Sequence, residues 1–201
     1  MVVACAIAVT TARAIAQTQT GHEGRTAQTA AAPNEPVARI VAPEPAIDDI
    51  ALVDQHGRAT TLREAIGSDK PVLVNFIFTT CTTICPIMTA GFSQFQATLG
   101  PDRDRVRLVS ISIDPETDTV DVLRAYAQRH GAGPNWLFFT GTPEAVEAAQ
   151  RAFGAFRGDA FNHAPVTYFR GAPGSPWEQL DGLPSAAALL RLYRGDRASG
   201  L

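Results

Sequence analysis

Apolar residues fall into short runs separated by polar, Gly- and Pro-containing stretches, and the period of each run predicts its element. Residues 50–62 alternate around Gln55-His56-Gly57, the pattern of a β-hairpin with His56 at its solvent-facing turn. Pro71 to Phe78 is a continuous apolar, β-rich run of buried-strand length, and Val106 to Ile113 is a second. A helical segment follows the first of these to about Leu99, and another runs from about Thr119 to His130 and stops at Gly131. Trp136 to Phe139 predicts a third strand. Thr142 as N-cap with Pro143 at the first helical position then starts a helix that turns Val146, Ala149 and Phe153 inward. Val166–Phe169 and Trp177–Leu180 read as an antiparallel pair, and a last helix runs from Ala186 to about Tyr193. Strands alternating with helices, then a hairpin and a helix, predict an α/β sandwich with a mixed central sheet.

The pattern also divides the chain. Met1 to Ala16 is small and apolar apart from Arg13 and a few threonines, and it ends Ala14-Ile15-Ala16, small residues at −3 and −1 of a signal-peptidase cut. We expect residues 1–16 to be an export signal or the remnant of a membrane anchor. The positively charged stretch that should precede them is missing, as a start upstream of Met1 would explain. Val2-Val3-Ala4-Cys5 also resembles a lipobox with Cys5 as the lipidated residue. Residues 17–45 are rich in Thr, Ala, Gln and Pro without apolar periodicity, which predicts a disordered tether carrying a solvated His22. The folded domain is expected over residues 46–195, with 196–201 as a tail. Export favours an oxidising compartment.

Composition narrows the function. The 201 residues are 45% hydrophobic and 18% charged with a net charge of −3, an ordinary globular balance without the basic footprint that nucleic acid requires. No apolar run reaches the roughly 18 residues of a bilayer span. Three cysteines are too few for a disulfide scaffold.

Their placement carries the chemistry. Cys81-Thr82-Thr83-Ile84-Cys85-Pro86 lies where the first buried strand meets the following helix. Residues four apart share a helix face, and a helix N-terminus favours the thiolate, which is both nucleophile and metal ligand. Pro86 is tolerated in the first turn. A structural disulfide across so short a loop would stabilise the chain little. Thioredoxin-type oxidoreductases space their cysteines by two residues, and here three intervene. Two thiolates suit Cu(I), a soft ion, and a neutral imidazole would raise its coordination to three. Structural zinc needs four ligands, and no second cysteine pair exists. His163, just before a late strand, is the candidate imidazole. His130 reads instead as a cation complementing a helix C-terminus, and Met88 as a weak thioether ligand or a core residue.

With these residues in view, the chain resembles the Sco/SenC family of copper-binding, thioredoxin-fold proteins over about residues 46–195. The carriers are the run from Pro71 to Pro86, the run Val109 to Thr119 with its Asp114-Pro115-Glu116-Thr117-Asp118-Thr119 element, Thr140 to Pro143, and a histidine before a late strand. The resemblance implies a thioredoxin-like three-layer sandwich. It implies a metallochaperone for the dinuclear copper centre of cytochrome c oxidase subunit II, exported to the periplasm or tethered to the outer face of the cytoplasmic membrane. By the same likeness one copper, as Cu(I) or Cu(II), is held by Cys81, Cys85 and His163.

Asp114 matches the family's acidic residue after the second core strand, which implies an acceptor near the site or a part in receiving a partner. Taken alone, it reads as a turn residue before Pro115. Asn162 replaces the aspartate that usually precedes the family's histidine, removing an orienting carboxylate. Pro165 falls near where thioredoxin-like reductases place a cis-proline, so we expect Ala164–Pro165 to be cis and packed against the cysteines.

The departure at Asn162 keeps a second class open: a thiol–disulfide reductase, served by a thioredoxin-like reductant, that keeps an acceptor's cysteines reduced using Cys81 and Cys85 alone. A peroxidase lacks its Thr/Ser-Cys-Arg arrangement, and a pure interaction module would require a permanently oxidised pair.

Overall fold

The computed structural model describes residues 38–47, 49–158 and 162–195. Eight strands form one mixed sheet: β1 (Ala38–Ala42), β2 (Ala51–Asp54), β3 (Ala59–Thr61), β4 (Val72–Ile77), β5 (Arg107–Ser112), β6 (Trp136–Thr140), β7 (Val166–Arg170) and β8 (Trp177–Asp181). Their order across the sheet is β1-β8-β7-β4-β5-β6-β2-β3. β4, β5 and β6 run parallel, and the remaining pairings are antiparallel. Every residue of β4 is buried, which is why its apolar run shows no alternation.

Side chains of β4 still part to two faces. Leu73 and Ile77 pack under α2 (Ile84–Leu99), α3 (Val120–Arg129) and α5 (Ala186–Tyr193), with Phe92, Phe95, Leu123, Tyr126 and Leu189. Val72, Val74 and Phe76 face α1 (Leu62–Ile66) and α4 (Pro143–Ala152), with Leu62, Ile66, Ala149, Phe153 and Trp177. Two helical layers thus enclose the sheet, the three-layer α/β arrangement expected from the sequence. The helix starts are fixed by caps: Thr119, Thr142 and Ser185 each accept a backbone N–H from three residues on.

Some expectations are corrected. The sheet begins at Ala38, inside the stretch assigned to the tether. There β1 adds to the edge of β8, from Ala38 opposite Asp181 to Ala42 opposite Trp177. Leu62 ends no strand; it opens α1, whose N-terminus is held by a capping box between Thr61 and Glu64. His130 does cap α3, but its ring packs on Tyr126 at 4.4 Å, and burial with the Arg129 charge lowers its pKa, which disfavours the dipole-complementing cation. Ala164–Pro165 is trans, as is every described peptide bond. The trans form is intrinsically favoured, and Pro165 leads straight into β7 while its carbonyl accepts the Gly182 N–H at 2.9 Å. The readings of residues 1–37, with Cys5 and His22, and of 196–201 lie outside the described residues. Among the described residues no helix is long and apolar enough to cross a membrane.

Candidate metal and thiol site

β4 delivers the chain to its carboxyl end at Ile77, and a tight turn closed by the Cys81 N–H on the Phe78 carbonyl (3.2 Å) brings it round into α2. The helix stays where it is because Met88, Phe92, Phe95 and Leu99 are buried along its length. Cys81 therefore lies just ahead of the helix and Cys85 in its first turn, where backbone N–H groups lack intrahelical acceptors. One of them is used: the Cys85 N–H donates to Cys81 Sγ at 3.4 Å. Both cysteines are free thiols.

The two sulfurs are not equivalent. Burial pushes the half-buried Cys81 thiol up, but hydrogen bonds from Cys85 and Thr83 outweigh it and bring the pKa down to about 7. Burial pushes the Cys85 thiol up to about 12, helped by its bond with Cys81 and by the charges of Cys81 and Asp118. Cys85 is fully buried, within the core that packs under α2.

His163 reaches the same place from the other side. It precedes β7, and its ring bonds to the backbone of Phe76, one residue past the last paired position of β4 with β7. The Nε2 atom is buried and has no hydrogen-bond partner, so the Phe76 carbonyl takes the Nδ1 proton. Burial, reinforced by the Arg157 charge, lowers the imidazole pKa against the raising effect of Phe76, and this keeps the ring neutral. A neutral ring fixed in this way leaves a bare lone pair on Nε2, the arrangement in which histidine serves as a metal ligand. His163 and Cys81 line one cavity of about 300 Å³, together with Phe78, Thr80, Thr82, Thr83 and Ile84. Among the described residues no three His, Cys, Asp or Glu side chains are already gathered into a coordination shell.

The other named residues stand elsewhere. Asp114 opens the turn after β5, where its carbonyl accepts the N–H groups of Thr117 and Asp118, and it lines a separate cavity with Glu116, Glu147 and Gln150. Pro165 is not among the residues lining the thiol cavity, and Met88 is core. The carboxylate next to the thiol loop is Asp118, part of the Asp114–Thr119 element, and its spacing alone marks no role for it. It accepts the backbone N–H and hydroxyl of Thr79 and the hydroxyl of Ser112. Burial raises its pKa against these bonds.

A three-layer fold with a dithiol at the strand–helix junction and an imidazole facing it defines a thioredoxin-like protein with a modified active-site loop. Residues 42–182 match the SCO1/SenC family model, and the chain belongs to that family. It is 35% identical over 112 residues to the SCO1 protein homolog of Bacillus subtilis, covering 54% of this chain and 57% of that protein. To protein SenC of Rhodobacter capsulatus it is 32% identical over 105 residues, covering 52% of this chain and 46% of that one. The chain thus spans about half the length of these curated relatives. Among solved structures it is similar to BsSco, a member of the Sco family of cytochrome c oxidase assembly proteins, with a TM-score of 0.62 at 26% identity over 77% of this chain and 94% of that one. Bradyrhizobium japonicum ScoI, solved with copper bound, matches with a TM-score of 0.58 at 25% identity, over 77% of this chain and 99% of that one.

Proposed function

We propose that this chain is a copper metallochaperone that serves the assembly of the dinuclear copper centre of cytochrome c oxidase. It carries one copper ion as cargo on the thiolates of Cys81 and Cys85 and on Nε2 of His163. The observation that carries the reading is the buried, unpartnered Nε2 of a neutral imidazole on the cavity that Cys81 also lines. Such an orphan acceptor is costly unless something fills it. Two sulfurs and one nitrogen suit a soft ion. The names of the relatives agree, since BsSco belongs to an oxidase assembly family and ScoI was solved with copper.

Loading displaces the thiol protons, so affinity falls in acid. Of the two, Cys81 gives up its proton near neutrality, whereas Cys85 yields its own only to the metal. Release follows by ligand exchange with an acceptor, cytochrome c oxidase subunit II, that offers further soft ligands. The chain works outside the cytoplasmic membrane, exported or tethered by its N-terminus. Without metal, oxidation of the pair to a disulfide would block loading until a thioredoxin-like reductant restored the thiols.

A second reading rests on the unequal thiols. A low-pKa, half-buried Cys81 beside a buried Cys85 is also the pairing of attacking and resolving thiols in a thiol–disulfide reductase. The two separate on His163. Anaerobic titration of the reduced chain with Cu(I) should saturate at one ion, with the affinity of His163→Ala reduced by about 100-fold. Weak binding that ignores the substitution would leave the reductase.

A further inference from the structure

Asp118 is a fully buried carboxylate, and no basic side chain pairs with it among the described residues. Its partners are all donors: the Thr79 N–H lies 3.2 Å from each oxygen, the Thr79 hydroxyl bonds Oδ1, and the Ser112 hydroxyl bonds Oδ2 at 2.7 Å. Donors converging on both oxygens suit the ionised form, which can only accept. A buried charge without a counter-ion is expensive. The bonds from Thr79 and Ser112 offset part of that cost.

Position indicates what the charge acts on. Thr79 precedes Cys81 by two residues, and Ser112 ends β5, the parallel neighbour of β4. The carboxylate thus pins the thiol loop to the carboxyl end of the sheet. Its field also reaches the site: burial is the main reason the Cys85 thiol is pushed up, and the Asp118 charge adds to it.

We infer that Asp118 is a positioning residue for the cargo site, one that anchors the Thr79–Cys81 segment and sets a fixed negative charge behind the cysteine pair to favour Cu(II) over Cu(I). This rests on the metallochaperone reading. With two thiolates and a neutral imidazole, bound Cu(II) makes an uncharged site and bound Cu(I) a site of charge −1. A nearby anion in a low-dielectric surround repels only the second. The carboxylate therefore loosens the hold on Cu(I) relative to Cu(II).

The test is a pair of anaerobic competition titrations of the full chain, one with Cu(I) and one with Cu(II) followed by its electron paramagnetic resonance signal, on wild type, Asp118→Asn and Asp114→Asn. Asp118→Asn keeps the shape and should lower the Cu(II)-to-Cu(I) affinity ratio about tenfold, a rise of about 59 mV in the copper potential. Asp114→Asn removes the same charge from a half-buried turn and should change the ratio much less. Thr79→Val, run in parallel in case Asp118→Asn does not fold, removes one hydroxyl that holds the carboxylate charged and should lower the ratio by a smaller amount. A wild-type chain that binds copper while Asp118→Asn and Thr79→Val leave the ratio unchanged overturns this inference alone, as does an equal effect from Asp114→Asn. A wild-type chain that takes neither ion overturns the metallochaperone reading as well.

Discussion

The sulfur of Cys81 accepts the backbone N–H of Cys85 across 3.4 Å, and this bond, with those from Thr83 and the deeper burial of Cys85, makes two cysteines four residues apart chemically different. It favours the thiolate of Cys81, and it orients that sulfur as a neighbour that raises Cys85.

The difference can be read from alkylation. In the reduced, metal-free chain, a short pulse of iodoacetamide followed by peptide mass spectrometry should modify Cys81 with a pH midpoint near 7, while Cys85 stays protected until the chain is unfolded. Equal rates at the two positions would contradict the assigned burial and bonding.

Stability should decline in mild acid. Burial is the main cause that lowers the pKa of both His163 and His130 below the ordinary 6.5. The unfolded chain therefore takes up these protons first as the pH falls. Their contribution is whole above pH 6.5 and is lost as the pH drops below it, towards the lower folded values. Urea midpoints of the metal-free chain should fall as the pH drops below 6.5. His163→Gln should flatten that slope. A wild-type midpoint constant across the window would contradict the neutral, buried imidazole.

On the opposite face of the sheet, the Tyr168 hydroxyl donates to the Phe153 carbonyl at 2.6 Å within the core that packs against α4. Tyr168→Phe leaves that carbonyl unpaired and should destabilise the fold by about 1–2 kcal/mol in urea unfolding. The alkylation profile of Cys81 should not change, because the thiol loop packs on the other face.

What could be foreseen from the residues follows from how local each signal is. The cysteine pair and α2 were legible because a buried strand, a Cys-x3-Cys spacing and an early proline lie within 16 residues of each other, from Pro71 to Pro86. β1 was not, since Arg39, Ile40 and Val41 are exposed and the strand exists through its pairing with β8, far along the chain. The five residues of α1 are too few for helical periodicity, although the Thr61/Glu64 capping box was there to be seen.

Choosing between two carboxylates was harder. Asp114 and Asp118 sit in one motif, and the turn that folds Thr117 N–H and Asp118 N–H onto the Asp114 carbonyl decides which one turns inward. No spacing rule contains that information. The trans isomer of Ala164–Pro165 is the ordinary preference of an X-Pro bond, and it is kept by the entry into β7.

X-ray absorption at the copper edge of the loaded full chain addresses the ligand set itself. The account predicts two sulfur scatterers and one imidazole nitrogen around a single copper, with the nitrogen lost in His163→Ala. A sulfur-only shell in the wild type, or an imidazole signal that survives the substitution, would contradict it.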